Sequence, residues 1–398
     1  STLMHTLFPY TTLFRSLLFD KNNGTNELFL IGGEFLINKI IRDFTPDGDN
    51  NRNSEGAFIT LKNGDILFAY SRYGGDGCED GSSADIYASI STDNGESFGE
   101  PFELISRHLL NADTLMSVSF LRMANDDVGM FFLAKTEVVN CRSFFMRSAD
   151  EGKTWSEPML CTENKGYFVV NNDRIIRTPE GRILIPAAKH GTICETDEKG
   201  RKSVEGIEPG VLYIFASDDD GKSWYKLSEG TTIPYSEGCT TGVQEPALLQ
   251  LKDGRIRCFM RNDSGRQYES YSSDNGKTWS NPVPSRFTSA ESPLSVKRLK
   301  NGKIVAFWNP IPIYNGRAEE VNGVWTGART PLVMAQSLDD GKNFSEPVAI
   351  ETDDKRGFCY VAIHETDDGT ILLAYCAGGE EDGCTLNRLR IRKIKIKA

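Results

Sequence analysis

The chain has 398 residues, 39% hydrophobic and 25% charged, enough to bury a sizeable core rather than remain disordered. Acidic side chains outnumber basic ones 56 to 45, a net charge of −11 and the wrong sign for neutralising nucleic-acid phosphates. No stretch approaches the roughly 20 apolar residues that span a bilayer, so neither nucleic acid nor membrane is an expected partner. The nine cysteines contain no C-x-x-C pair and no His/Cys cluster at zinc spacing; they read as free thiols of a reducing compartment, with no metal and no cofactor expected.

Taken in chain order, the first segment stands apart. Met4 to Ser16 matches no repeat found further on and resembles translated sequencing-adapter read-through. Residues 1–16 are therefore expected to be a leader outside the fold, with 17–398 as a single domain. The first thirty residues lack a basic start, an apolar core and a small-residue cleavage site, so no secretion signal is expected and the cytoplasm is the favoured compartment. Glu27 to Ile31 is a candidate strand closing the last sheet.

From Ile59 onward two patterns alternate. The first is an apolar run, a turn and a second apolar run, as in Ile59 to Phe68 around Asn63-Gly64, then around Gly181, Gly254, Gly302 and Gly369, with a degenerate copy at Phe120 to Phe132. The second is Ser-x-Asp-x-Gly-x-x-Trp/Phe, which occurs five times: Ser91 to Phe98, Ser148 to Trp155, Ser217 to Trp224, Ser272 to Trp279 and Ser337 to Phe344. Asp-x-Gly is turn chemistry, in which a carboxylate accepts backbone N–H groups and Gly supplies a positive φ. The last hairpin has no such box, and the alternating tail Leu389 to Ile396 reads as the strand that completes it. Six hairpins, five followed by strand, box and strand, describe an all-β chain of six four-stranded blades, a six-bladed β-propeller.

In that arrangement both kinds of turn lie on one rim. The opposite rim gathers Ser54, Glu55, Arg72, Asp76, Asp80, Asn172, Asp173, Arg174, His190, Gln244, Glu245, Arg261, Glu291, Asn309, Arg329 and Tyr360. Carboxylates and guanidiniums dominate the set, as in an active site. Each has a plain structural alternative: Tyr360 as a core aromatic, Asp80 as a turn residue of a Gly-rich loop, Arg261 and Arg329 as blade-to-blade ties to Glu245 and Glu291, and His190 as the end of a strand.

The five boxes resemble the Asp box of the sialidase superfamily, and the chain from about Asn50 onward resembles its propeller. The resemblance implies an exo-acting, retaining glycosidase that removes a terminal sialic acid or related acidic sugar from a glycan or small-molecule substrate. Gln244-Glu245-Pro246, with Met260-Arg261-Asn262 beyond it, looks like the segment bearing the glutamate partner of the nucleophile and one substrate-binding arginine. Gly327-Ala328-Arg329 looks like the segment of the last arginine, and Phe358-Cys359-Tyr360 like the strand of the nucleophilic tyrosine. Asp80-Gly81-Ser82-Ser83-Ala84-Asp85 matches the loop of the acid/base aspartate, which gives Asp80 that role. A tyrosine activated by Glu245 avoids bringing a carboxylate against a sugar whose anomeric carbon already bears one. Guanidinium forks suit the substrate carboxylate, and an acid needs a raised pKa, which Asp80 would take from Glu245 nearby.

One departure stands out. The superfamily opens its first blade with Arg-Ile-Pro, and here Asn53-Ser54-Glu55-Gly56-Ala57 occupies that place. Arg52 and Arg72 are the nearest replacements, and Arg174, Asp173, His190, Glu55 and Glu291 join Arg261, Arg329 and Arg72 as candidate substrate-binding residues. The alternative is a carbohydrate-binding propeller, or a glycosidase or lyase acting on a different sugar. The oligomeric state is left open by the sequence.

Overall fold

A computed structural model describes residues 36–396 apart from 76, 138, 197–201 and 314–317, and the side chains of 36, 37 and 192–207 are likewise outside it. The expected leader 1–16, the strand expected at Glu27 to Ile31 and Asp76 therefore lie outside the described residues.

The protein is all-β, built from six successive four-stranded antiparallel units. Unit one runs Asn50–Thr60, Ile66–Gly74, Ala84–Ser91 and Phe102–Ile105; unit two runs Thr114–Arg122, Val128–Glu137, Asn140–Ser148 and Met159–Leu160. In unit three the first strand is broken into Tyr167–Val169 and Ile176–Arg177, both paired with Ile183–His190, and Val211–Ser217 and Tyr225–Glu229 follow. Unit four is Gln244–Gln250, Ile256–Arg261, Arg266–Ser272 and Val283–Thr288, and unit five is Ser295–Arg298, Ile304–Trp308, Leu332–Ser337 and Val348–Glu351. Unit six takes Cys359–Glu365, Ile371–Cys376 and Leu389–Ile396 from the end of the chain and its fourth strand, Leu36–Phe44, from near the start. The tail strand is where the sequence places it, and the closing strand falls later than Glu27 to Ile31.

Hydrophobic pairing explains the inner strands. Ile304–Trp308 and Ile371–Cys376 are buried at every position, because each sheet is covered on both faces by its neighbours. First strands touch between units one and two, three and four by way of Ile183–His190, four and five, five and six, and six and one. Units two and three are joined where Asp173 N–H donates to the Val118 carbonyl, at 3.0 Å.

Turn chemistry recurs in each unit. Leu61 N–H donates to the Asp65 carbonyl at 2.8 Å around Gly64, and the same bond closes the hairpins at Thr178 and Arg182, Leu251 and Arg255, Leu299 and Lys303, and Thr366 and Thr370. The degenerate copy in unit two forms it too, from Met123 to Asp127, with Asp126 at φ 71° where the others use Gly. In each of the five boxes the serine hydroxyl donates to the aspartate and accepts from the glycine N–H; for Ser91 these bonds are 2.8 Å to Asp93 Oδ1 and 2.8 Å from Gly95. Gly95, at φ 79°, also lies where a Cβ would come within 2.7 Å of Leu372 in unit six, so glycine is required twice over. Box aromatics wedge between units: Trp224 of unit three meets Phe131 of unit two edge-on at 5.6 Å, and Phe344 of unit five meets Phe287 of unit four at 5.1 Å.

Candidate active site

The meander fixes which ends meet. In unit one Ile66 pairs with Thr60 and Ser91 beside the turns, while Arg72 pairs with Asn53 and Asp85 at the other end. In unit six Ile371 pairs with Glu365 and Ile394 beside the turn, and Cys376 with Cys359 and Leu389 at the other end. The starts of the first strands therefore gather at the end of the sheets opposite the boxes.

At that end four first strands carry the same irregularity. Register slips by one residue between Ser54 and Ala57, Met116 and Ser119, Gln244 and Ala247, and Cys359 and Ala362. Each slip leaves two residues opposite one, a β-bulge whose first residue is left-handed: Glu55 at φ 58°, Ser117 at 60°, Glu245 at 41° and Tyr360 at 61°. In unit three, where the strand breaks, Asp173 is left-handed at φ 54°. A non-glycine residue at positive φ costs about 1–3 kcal/mol, and its recurrence at one place in the repeat re-aims these side chains away from strict alternation.

Around the re-aimed residues a charge cluster forms. Arg261, paired in register with Gln244, places Nη1 2.7 Å from Glu245 Oε2 and Nη2 3.2 Å from Glu291 Oε1. Arg329 follows a left-handed pair, Gly327 and Ala328, and its carbonyl is held by Asn309 Nδ2 at 2.9 Å and Phe358 N–H at 2.8 Å. Its guanidinium lies 5.4 Å from the Tyr360 ring centre and 4.8 Å from that of Trp325, and donates to the Glu291 carbonyl at 3.2 Å and Cys359 Sγ at 3.1 Å. Arg329 and the hydrogen-bonded Cys376 thiol outweigh the effect of burial on Cys359 and bring its thiol down to about 7.

Tyr360 is buried, and no protein group hydrogen-bonds its hydroxyl among the described residues. Burial, then the Glu245 carboxylate, push its phenol well above the ordinary value, against the pull of Arg329 and Arg261. A phenol so placed needs a base to leave as its anion, and Glu245 is the carboxylate beside it. Next to this pair His190 is buried with Nδ1 3.0 Å from the Glu208 carbonyl; burial holds it below its ordinary value, hence neutral.

The other half of the site comes from unit one. Arg52, 1% exposed, sends Nη1 to Asp80 Oδ1 at 2.7 Å and Nη2 to Glu55 Oε1 at 3.3 Å, with its guanidinium 4.4 Å from the Tyr73 ring centre. Asp80 does not have the raised pKa expected of it. Burial pushes it up, but Arg52, Lys135 and Arg329 outweigh that and hold its carboxyl at about 2. Glu55 is the raised carboxyl, pushed up to about 7 by burial and by the Asp80 and Glu245 charges, against Arg52 and Ser117.

Three expected substrate residues lie elsewhere. Arg72 pairs with Asp47 at 3.6 Å and stacks 4.6 Å from the Tyr87 ring centre, because it is one residue off the parity of Tyr73, whose face of the sheet carries Arg52. Asp173 binds Lys297 Nζ at 3.0 Å and Ile363 N–H at 2.9 Å, tying units three, five and six across the centre. Arg174 is buried with both Nη atoms 3.2 Å from Ser295 Oγ and lines a cavity of about 790 Å³ that reaches the hairpin turns at Thr178 and Gly254, at the box end. Glu55, Asp80, Glu245, Arg261, Glu291, Arg329 and Tyr360 are brought together, with His190 behind them.

Several participants carry no signal of their own. Ser117 Oγ lies 3.0 Å from Glu55 Oε2, and Asn172 Nδ2 donates to the Gly56 and Tyr360 carbonyls at 2.7 and 3.1 Å. Aligning Met116-Ser117-Val118 with Gln244-Glu245-Pro246 by hairpin position finds Ser117; Asn172 stands on the rim expected from the sequence, but nothing local signals its clasp.

A family model described as the BNR repeat-like domain matches residues 69–373. The chain is 27% identical over 263 residues to an anhydrosialidase of Macrobdella decora, covering 62% of this chain and 30% of that protein. It is 27% identical over 243 residues to a sialidase of Bacteroides fragilis, covering 58% and 38%. The chain thus spans about a third of the length of these relatives. Among solved structures, a sialidase of Streptococcus pneumoniae superposes with a TM-score of 0.63 at 14% identity over 89% of this chain and 70% of that one. An intramolecular trans-sialidase of Ruminococcus gnavus, in complex with oseltamivir carboxylate, gives 0.62 at 14% over 87% and 96%. These likenesses concern the fold.

Proposed function

This chain belongs to the BNR repeat-like domain family of the sialidase superfamily, and from that premise we propose that it is an exo-acting, retaining glycosidase that releases a terminal sialic acid or related acidic sugar. On this reading the six units are the blades of one propeller spanning 17–398, the five boxes its outer turns, and the glycan or small sugar binds at the opposite end. The observation that carries the reading is the convergence of Glu245, Arg261, Arg329 and Tyr360, two of them held left-handed at matching bulges.

Each residue has a chemical task. Tyr360 attacks the anomeric carbon while Glu245 takes its proton; a neutral nucleophile is not repelled by the substrate carboxylate. Arg261 and Arg329 bind that carboxylate as forks. Arg261 is neutralised at rest by Glu245 and Glu291, so proton transfer to Glu245 frees it for the substrate as Tyr360 bonds the sugar. Glu291 and His190 shape the pocket behind Arg261.

A second reading has its own support: the 790 Å³ cavity at the box end excludes Tyr360 and Glu245 from its lining, which favours a carbohydrate-binding module, or an enzyme for another sugar. Release from aryl glycosides of sialic acid, its deaminated analogue, uronic acids and neutral sugars decides between them. The proposal expects turnover confined to acidic sugars. Binding without release, or release of neutral sugars alone, overturns it.

A further inference from the structure

Unit one sets two carboxyl groups on one guanidinium. Arg52 holds Asp80 at 2.7 Å and Glu55 at 3.3 Å, and the two acids differ sharply in surroundings: the Asp80 side chain is 58% exposed and that of Glu55 7%. One cation does not offset two anions, and the proton resides on the acid that water solvates least. Glu55 is also the one with the longer bond to Arg52. The groups facing it are Arg52 from its own strand, Tyr73 from the next strand, Asp80 from the following loop, Ser117 and Cys141 from unit two, Glu245 from unit four and Cys376 from unit six. Ser117 Oγ, 3.0 Å from Oε2, is able to accept from the acid or donate to the anion.

Position agrees with that chemistry. Glu55 occupies the bulge that in units four and six carries Glu245 and Tyr360, and its exposure, 5%, is close to their 8%. Asn172 clasps the carbonyls of Gly56 and Tyr360 with one amide, so the two bulges are neighbours.

We propose that Glu55, rather than Asp80, is the proton donor to the leaving oxygen, and that the Arg52–Asp80 pair is a fixed charge that positions it. The inference rests on the glycosidase reading. In the first step the Glu55 O–H bond breaks and its proton goes to the glycosidic oxygen as that oxygen leaves with the C–O electron pair; Tyr360 Oη bonds the anomeric carbon and passes its proton to Glu245. In the second step the Glu55 carboxylate takes a proton from water, the water oxygen bonds the anomeric carbon, and Tyr360 departs, recovering its proton from Glu245. All protons are restored.

Two measurements on the full chain test this. The first is infrared difference spectroscopy of the free protein at about pH 6, between the ordinary 4.5 and the raised value near 7 for Glu55. A protonated-carboxyl band should be present in the wild type and lost in Glu55→Gln; in Asp80→Asn, where Arg52 is left to Glu55 alone, it should return only at lower pH. The second compares an aryl sialoside, whose phenol leaves with little help, with a sialyl-lactose, whose alcohol needs a proton. Glu55→Gln should slow the alcohol substrate by about 10²–10⁴-fold and the aryl substrate far less at every pH, whereas in Asp80→Asn the same split should close as acid returns the proton to Glu55. A band that survives Glu55→Gln, or a leaving-group split in Asp80→Asn that persists in acid, overturns the proposal. Failure of the wild type on every sugar instead sinks the glycosidase reading, while the infrared band still shows which acid holds the proton.

Discussion

Asn172 Nδ2 donates to the Tyr360 carbonyl at 3.1 Å, across the centre of the molecule from unit three to unit six. The same nitrogen donates to Gly56 O at 2.7 Å, so one side chain in a broken strand fixes the left-handed backbone of the proposed nucleophile against that of Glu55. Asn172→Ala removes the donor to two buried carbonyls and should cost about 1–3 kcal/mol of stability. Urea unfolding measures the loss, and turnover of the surviving folded protein should fall with it. An unchanged midpoint and rate would show that the bulges hold themselves.

Tyr360→Phe deletes a hydroxyl that has no protein partner. Stability should be unchanged, since no hydrogen-bond partner among the described residues is orphaned. Turnover should drop by about 10³-fold or more, the scale seen when a member of a nucleophile–base unit is lost. Thermal unfolding and initial rates on the best acidic substrate check both halves.

Recognition of the substrate carboxylate should follow the guanidiniums near Tyr360. Arg329→Lys keeps the charge and loses the fork, and should raise KM for an acidic aryl glycoside by about tenfold. Arg72→Ala, away from the cluster on the Asp47 and Tyr87 side, should leave KM for acidic and matched neutral sugars unchanged. A selective rise in KM from Arg72→Ala would return that residue to the site.

Acid should loosen the box turns before it touches the core. Burial pushes Asp93 up, but hydrogen bonds from Ser97 and Ser91 together outweigh it and hold the carboxyl at about 2, and those from Ser223 and Ser217 hold Asp219 there against burial, from an ordinary 3.8. A lowered carboxyl contributes stability that is complete above 3.8 and lost as pH falls toward 2. The Tm of the wild type should therefore fall across that window, and Asp219→Asn should start lower at neutral pH and fall less steeply. Parallel curves would remove the box carboxylates from acid sensitivity.

Legibility in the sequence followed how local the signal is. Box and hairpin turns are written in residues a few positions apart, so all five boxes, the degenerate hairpin at Met123 to Asp127 and the tail strand stand where their residues place them. Glu245 and Arg261 meet because a hairpin of fixed length pairs Arg261 with Gln244. Arg72 was misplaced by a single step of strand parity, and Arg52, Glu55 and Asp80 were each legible as candidates but not as two acids on one guanidinium, because a bulge overrides the alternation from which facing is read. Asn172 was legible as a rim residue, but its clasp on Gly56 and Tyr360 was not, because the strand that would have given its register is broken.

The account depends most on a covalent bond between Tyr360 and an acidic sugar. A 2,3-difluoro derivative of sialic acid, which forms the enzyme-bound intermediate but releases it slowly, tests this by peptide mass mapping after incubation with the wild type and Tyr360→Phe. The account predicts an adduct of the sugar's mass on the peptide containing Tyr360, absent from the variant. No adduct on the wild type, or one on another residue that persists in Tyr360→Phe, would contradict it.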